Sequence, residues 1–525
     1  MSNLWRVFLL AFVVFGYFMP QWADWNIDSR LDMTEAIVNH GTIRIDAYNQ
    51  NTWDKAVDHG HFYSDKAPGT AVLGVPILAA FKAAHHVPFL SSAIAGVERN
   101  GAWNVPIALG RSATQKQPAK KGTVLGGCQR KGAGNVQYIP WGNRLVPPMR
   151  DWALSKYLVT VGVVGLISAL FAVFFFWFLG LFAIAGAARW LSTVVYAFGS
   201  VALPYSSNFY SHQLVAAFLF VAFALVFLAA RSRRLWQAAS AGFLLGFSIF
   251  TEYTVALVVV VIGLYLLWSL RSQLRAIGAA VATGLVPIIA LLGYNQMAWG
   301  NPLDTGYSHD FCWSAAQSAG FAGFTYPHLW PLIDLTFGEY RGLFFTSPFL
   351  LLALPGAYLM WRRGRQAEAL TCIASAVILI LAISAQWGWN GGRVDGPRYI
   401  VACVPFLALP AAFAVRAMFR SAAWRVVLGI IAAWSLAATW ILFLGGATFP
   451  TSWLPYPLTQ YSLPALAHNQ ITPNFGLFFG LSGWESLLPL AVAVVLIALI
   501  PPRRREAPSQ RPVTAQAVPS GRYTD

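Results

Sequence analysis

Charge is scarce in this chain of 525 residues. Asp, Glu, Lys and Arg together make up 11% of it, where a soluble domain carries about 25%. That shortage excludes an ordinary water-soluble enzyme with a polar surface all round. Acidic residues are the scarcer sign, 20 against 36 basic ones, which gives a formal net charge of +16. Nucleic-acid binding does not follow, because Lys and Arg fall in short clusters between apolar runs, as the positive-inside rule expects. Cysteine is sparse as well. Cys128, Cys312, Cys372 and Cys403 have no metal-ligand spacing, and no disulfide framework is expected from them. Short strands of alternating polarity are missing, which excludes an outer-membrane barrel.

Apolar sequence is what fills the space: 57% of residues are hydrophobic and 15% aromatic. A helix needs roughly 20 apolar residues to cross a bilayer, and in lipid the backbone must satisfy its own hydrogen bonds. Apolar runs lie at about 69–81, 155–187, 190–205, 212–230, 236–253, 254–270, 274–297, 342–361, 367–386, 398–418, 424–446 and 485–500. With a retained first helix over residues 1–20, which no small-x-small cleavage site follows, they predict an all-α polytopic integral membrane protein of about 11–13 transmembrane helices.

Basic clusters at Arg231-Ser-Arg-Arg234, Arg271 with Arg275, Arg362-Arg363-Gly-Arg365, Arg416 to Arg425 and Arg503-Arg504-Arg505 occupy alternate connections, which are expected in the cytoplasm together with both termini. The loops 298–341, 387–397 and 447–484 are then external, as is the first polar loop, 21–68. Parity requires an even number of crossings between residues 69 and 155, yet only the short run 69–81 is apparent there. A half-helix that dips in and returns, a second weak crossing, or a break within 155–187 would each satisfy it. The basic loop 82–150 is left with its side open. Residues 1–500 are read as one membrane domain, and the polar tail 501–525 as disordered and cytoplasmic.

The first external loop carries most of the candidate chemistry. It reads Trp25-Asn-Ile-Asp28-Ser-Arg30-Leu-Asp32-Met-Thr-Glu35-Ala-Ile-Val-Asn39-His40-Gly41, which predicts a short amphipathic helix over 29–40 ended by Gly41. Asp32, Glu35 and Asn39 share a face, and Asp28 precedes the first turn. Two readings are open: Asp28 caps a helix lying on the bilayer surface, or these carboxylates line a site. Farther on, Tyr63-Ser-Asp65-Lys66-Ala-Pro68-Gly69 brings an acid, a Lys and a chain break to the membrane surface, a suitable pocket for a phosphate head group. Arg393 and Arg398 stand on an external loop against the positive-inside trend, where the simpler alternative is an ion pair with Asp395. Glu252, at the external end of an apolar helix, is a functional candidate by its ionisable character. His212, beside Tyr205 and Tyr210, is another. No metal or other cofactor is expected: the histidines at 59, 61, 85, 86 and 309 do not pair on one helical face.

Asp28-x-Arg30 opening an external helix, followed by Tyr63-x-x-Lys66-x-Pro68 at the next membrane segment, resembles the GT-C superfamily of polyprenyl-phosphate-dependent glycosyltransferases, and within it the protein O-mannosyltransferase and aminoarabinose-transferase branch. Pro204-Tyr-Ser, His212, Thr251-Glu-Tyr253, Asn301-Pro-x-x-Thr-Gly306-Tyr307 and Trp389-x-Gly-Gly-x-x-x-Gly396-Pro-Arg398-Tyr399 look like bacterial members of that group. Ala67 replaces the first Pro of the aromatic-x-x-Lys-Pro-Pro pattern, and the basic segment 99–150 has no counterpart. The resemblance implies a GT-C-like bundle in a bacterial plasma membrane that moves a sugar, with inversion, from a polyprenyl-phosphate donor to a lipid, glycan or protein acceptor. It implies Asp28 as general base, with Asp32 or Glu35 as substitutes. Lys66, Arg30, Arg393 and Arg398 would face the donor phosphate, and Tyr63, Asp65, His212, Glu252 and Tyr307 would line the pocket. A transporter or flippase for lipid-linked sugars is the alternative. It would place ionisable residues near the bilayer midplane.

Overall fold

The computed structural model describes residues 3–20, 24–98, 100, 147–446 and 454–500. Expectations for Cys128, for most of the basic 82–150 loop and for the tail 501–525 fall outside them. The described residues are mostly helical, with one two-stranded antiparallel hairpin among them. In order come α1 (Asn3–Tyr17), α2 (Trp25–His40), β1 (Lys55–Asp58), β2 (His61–Ser64), α3 (Gly69–Ala84), α4 (Pro88–Glu98), α5 (Pro147–Val159), α6 (Leu166–Leu181), α7 (Gly186–Phe198), α8 (Ala202–Ser206), α9 (His212–Ser232), α10 (Leu235–Thr251), α11 (Ala256–Ser269) and α12 (Leu274–Trp299). The later helices include Ala353–Arg362, Gln366–Ser384, Val404–Met418 and Ala422–Leu444.

Among the described residues, six helical stretches are long and apolar enough to cross a membrane: Trp152–Leu181, His212–Ser232, Leu274–Trp299, Gln366–Ser384, Arg398–Met418 and Ala422–Leu444. Asn3–Tyr17, Leu235–Thr251, Tyr253–Ser269 and Gly483–Leu499 are apolar but shorter. Their outward faces fit a multi-pass membrane protein. On α11, Leu257, Val260, Leu264 and Trp268 recur at helical spacing and are all exposed, as are Val281, Leu285 and Ile289 on α12. Stripes of that size would drive aggregation in water and are satisfied by lipid tails. The 155–187 run is unbroken as far as Leu181, because a π-helical segment, Thr160–Gly165, joins α5 to α6 without interrupting the helix. α3 and α4 meet at 106°, a broken span or a re-entrant loop. The 342–361 run, expected as one helix, is instead three short pieces that start after Gly342, at Pro348 and at Ala353.

Aromatic packing fills the centre. Phe220 of α9 meets Phe171 and Phe178 of α6 edge-on, at 5.7 and 5.6 Å between ring centres, and Phe406 from the other side at 5.4 Å. α10 and α12 approach by a different device. A Cβ at Gly242 would lie 1.9 Å from the Ala280 carbonyl oxygen, and one at Gly246 would lie 2.1 Å from that of Gly284. Backbones this close exclude any side chain, as in small-residue interfaces of membrane helices. Gly242→Leu is therefore expected to force the pair apart and cost about 1–3 kcal/mol, by analogy with overpacked cores. A lowered melting temperature in detergent would show it, and an unchanged one would mean that the helices separate freely.

Polarity along the helices is consistent. α9 starts at His212 and ends beside Arg231; α10 starts after Arg234 and ends at Glu252. α12 follows Arg271 and ends at Trp299, and the segment from Arg398 ends beyond Arg416. Arginine clusters thus sit at one end of these helices, and α2, the hairpin and the polar cluster sit at the other. Cys312, in the loop after α12, is disulfide-bonded, which corrects the expectation of no disulfide; Cys372 and Cys403 are free and buried. The pairing was illegible because a lone Cys in a polar loop carries no spacing signal.

Candidate functional site

Helix α2 begins four residues earlier than the sequence suggests, and Asp28 is not its cap. Asp24 is: its Oδ1 accepts from the backbone N–H groups of Asn26 and Ile27 at 2.9 and 3.0 Å, and its Oδ2 accepts from the Tyr210 hydroxyl at 2.6 Å. Gly41 ends the helix as expected, in the left-handed conformation at φ 61° that glycine adopts without strain. The helix does not lie on a surface. Every residue from Asn26 to Ala36 is buried. Its polar side chains read in sequence as a solvated face, but most of them meet a partner brought by another element.

Asp28 is fully buried, and its Oδ1 is 2.5 Å from the Lys156 ammonium of α5. Its Oδ2 has no hydrogen-bond partner. Burial pushes the carboxyl up to about 8, against the pull of Lys156 and with the help of Asp24 and Asp54 nearby. One turn on, Asp32 accepts from Asn51 at 3.0 Å through Oδ1 and also leaves Oδ2 unpartnered; burial, and then Asp28, hold it well above the usual carboxylate range. Glu35 is drawn away from that pair, bonded by Asn39 at 2.6 Å and 4.0 Å from Lys82.

The hairpin supplies the second half. Ser29 of α2 lies 2.8 Å from Ser64 and donates to Asp65 at 3.3 Å, which ties the start of α2 to the end of β2. Lys66 follows directly. Its ammonium is 2.6 Å from Asp65 and 2.9 Å from Asp54, and it lies over the Tyr307 ring at 5.7 Å. It is therefore a neutralised cation and not the bare phosphate ligand the motif suggests. Burial opposes its charge, but Asp54 and Asp65 hold it well above the ordinary lysine range. Burial likewise raises Asp54, yet Lys66, with Arg398 and Arg30 behind it, brings that carboxyl below its ordinary value. Those three cations thus act on one carboxylate. The loop after α12 closes over the hairpin: Ala56 bridges to Asp310, and a Cβ on Gly306 would fall 2.7 Å from the Asp65 Cα. Asp310, which the sequence reading did not single out, accepts from the backbone N–H groups of Cys312 and Trp313, and burial beside Asp65 pushes it up to about 7.

Arg30 points to the other side. It donates to Ser211 at 2.9 Å and to both oxygens of Asn26, and it is 3.4 Å from Glu252. Glu252 also accepts from Ser211 at 2.6 Å and from Thr254 at 3.2 Å, and it lies 3.8 Å from His212 Nδ1. The imidazole is boxed by Tyr205, Tyr210 and Tyr399 at 5.8, 5.7 and 5.4 Å. Arg398 lies between Tyr210 and Tyr399 and donates to the Tyr399 hydroxyl at 2.8 Å. Arg30 Nε, Arg398 Nε and His212 Nε2 are all buried without a hydrogen-bond partner. The two guanidinium donors are costly to leave unpaired and mark a place for an acceptor.

The remaining candidates are less central. Arg393 is half-buried. The alternative of an ion pair of Arg393 or Arg398 with Asp395 does not hold: both Asp395 carboxylate oxygens are buried and unpartnered, and the cation acting on it is Arg341. Arg341 donates to the Val394 and Gly392 carbonyls, so it shapes the 387–397 loop. Tyr63 packs against Trp299 at 5.1 Å and accepts from Arg44 at 3.3 Å, away from the cluster. Tyr307 lines the Lys66 side, 5.8 Å from Tyr253.

Among the described residues no group of three or more His, Cys, Asp or Glu side chains is placed to hold a metal ion. Asp24, Asp54, Lys156, Tyr210, Tyr399 and Asp310 complete the cluster and had not been identified as site residues. Lys156 alone had a signal, a lysine at the edge of an apolar run. The chain matches no protein-family model and no curated protein.

Proposed function

We propose that this protein is a membrane glycosyltransferase that moves a sugar from a polyprenyl-phosphate donor to an acceptor hydroxyl at the extracytoplasmic face. The observation that carries the reading is the juxtaposition of Asp28, a buried carboxylate with one oxygen bound and the other unpartnered, with a cationic cluster holding unpaired donors on Arg30 and Arg398. The chemistry needs both halves. Asp28 Oδ2 takes the acceptor proton as the acceptor oxygen bonds to the anomeric carbon from the face opposite the phosphate. The anomeric carbon–oxygen bond breaks, and its electron pair leaves with the phosphate, which Arg398, Arg30 and, on release from its carboxylates, Lys66 neutralise. Acceptor attack opposite the leaving group inverts the anomeric centre.

The extracytoplasmic assignment is supported by the arginine clusters at the far end of the helices and by the oxidised Cys312, since disulfides persist in oxidising compartments. Both termini are then placed in the cytoplasm, and about 11–13 crossings remain the reading of the hydropathy pattern. Collection of the charged groups at one end favours transfer over translocation, for which paired sites at midplane are expected.

The test is direct. Purified protein is given radiolabelled polyprenyl-phosphate sugars and membrane acceptors, and label is expected to appear in the acceptor while free polyprenyl phosphate is released. Carriage of lipid-linked sugar across proteoliposomes, with no transfer from any donor, would overturn the reading in favour of a flippase. Mass spectrometry of the lipid that co-purifies is expected to find a polyprenyl phosphate.

A further inference from the structure

Lys156 comes from a helix that no part of the motif resemblance includes, and it is fully buried. A lysine enters such a place only when a partner holds its charge. Here the partner is Asp28, 2.5 Å away, and the Trp152 ring lies 4.7 Å from the ammonium on the near turn of the same helix. Two things about the geometry are informative. The ammonium engages Oδ1 only, so the contact fixes the carboxylate plane and leaves Oδ2 as the free oxygen. And the helix changes type one turn after Lys156: Thr160–Gly165 is π-helical, and the Thr160 hydroxyl donates to the Lys156 carbonyl at 2.7 Å. A π segment inserts an extra residue and turns the preceding face against the following one. Such segments cluster at functional sites. Here it lets α6 keep its phenylalanines in the core while Lys156, on the same continuous helix, is turned to α2.

We propose that Lys156 is the positioning residue of Asp28, holding Oδ1 so that Oδ2 faces the acceptor hydroxyl, and setting the pH at which that oxygen can take a proton. The inference rests on Asp28 acting as the base. Lys156 itself transfers no proton: the acceptor proton goes to Oδ2, and the electron pair goes with the leaving phosphate. Asp24, Asp54 and Asp32 also act on Asp28, all of the same sign as the carboxylate, and Lys156 has the largest opposing charge effect on it. Lys156 is thus the cation that offsets them, and its loss raises the proton affinity of Asp28 by simple electrostatics.

The experiment compares Lys156→Met, Lys156→Gln and Lys156→Arg with the wild type and with Asp28→Asn. Two readouts are followed across pH: the transfer rate, and the infrared stretch of the protonated carboxyl that is missing in Asp28→Asn. Lys156→Met is expected to move both the acid limb of the rate and the midpoint of that band upward by about one pH unit or more, and so to lower transfer at neutral pH about tenfold or more. Lys156→Arg is expected to return both toward the wild type. Lys156→Gln, which keeps a donor without its charge, must shift the same way and guards against a variant that merely fails to fold. If Asp28→Asn is inactive yet neither limb nor band moves in Lys156→Met and Lys156→Gln, the role of Lys156 is overturned and the glycosyltransferase reading stands. If Asp28→Asn keeps full transfer, the base assignment falls and takes this inference with it.

Discussion

Asp28→Asn is expected to lower sugar transfer by about 10²–10⁴-fold, the usual worth of a positioned general base, with expression retained. Asn preserves the shape of the side chain and can still accept from Lys156 through its amide oxygen, so the packing at the start of α2 survives while the proton acceptor is gone. The pH profile adds a second readout. Burial pushes the Asp28 carboxyl up to about 8, so below that pH the folded protein holds it protonated and unable to act as a base. Transfer should therefore climb with pH until about 8 and then level off. Stability runs the other way. A carboxyl whose folded value is raised binds a proton that the unfolded chain has already released, so its contribution is complete below the unfolded value of 3.8 and is lost as pH rises to about 8. Asp32 is raised in the same sense and Asp310 is raised to about 7, which adds to the slope. Melting curves between pH 5 and 8 should show stability falling as activity rises, and Asp28→Asn should flatten part of that fall. Full transfer by the Asn variant, or a rate flat across this range, would remove Asp28 from the reaction.

What could be read from the sequence divides along a physical line. Hydropathy found the long apolar helices, because a bilayer imposes length and hydropathy on each segment independently of the others. Asp28, Arg30, Lys66, Glu252, His212 and Arg398 are all candidates by sequence, and the fold brings them to one end of the bundle. Their partners were not legible. Nothing local in the sequence says that Lys66 meets Asp54 across the hairpin, that Tyr210 reaches Asp24, or that Lys156 reaches Asp28, separated by more than a hundred positions. Those contacts follow from how α2 is enclosed. The reading of α2 as a surface helix failed for the same reason: a helix dense in Asp, Glu, Arg and Asn looks solvated until other elements arrive to pair with it. The cap was missed by a smaller margin, since Asp24 and Asp28 are one turn apart and either could have begun the helix.

Glu252→Leu is expected to be the most destabilising single change at the site, at about 3–5 kcal/mol, the cost of leaving a buried charge without its counterion. Glu252 and Arg30 are each almost wholly buried, and Glu252 joins the end of α10 to α2 on one side and to Ser211 and His212 at the start of α9 on the other. Without the carboxylate, the Arg30 guanidinium keeps only Asn26 and Ser211, both uncharged. Arg30→Met should cost less. The carboxylate it leaves behind still accepts from Ser211 and Thr254 and lies beside His212. The double variant Arg30→Met with Glu252→Leu removes both charges together and should recover much of the loss, because well-packed apolar side chains can replace a buried ion pair at little cost. Melting of the four proteins in one detergent gives the coupling directly. Losses that simply add would mean that the two side chains stabilise the fold independently, and the ion pair between them would then contribute nothing to the junction of α2, α9 and α10.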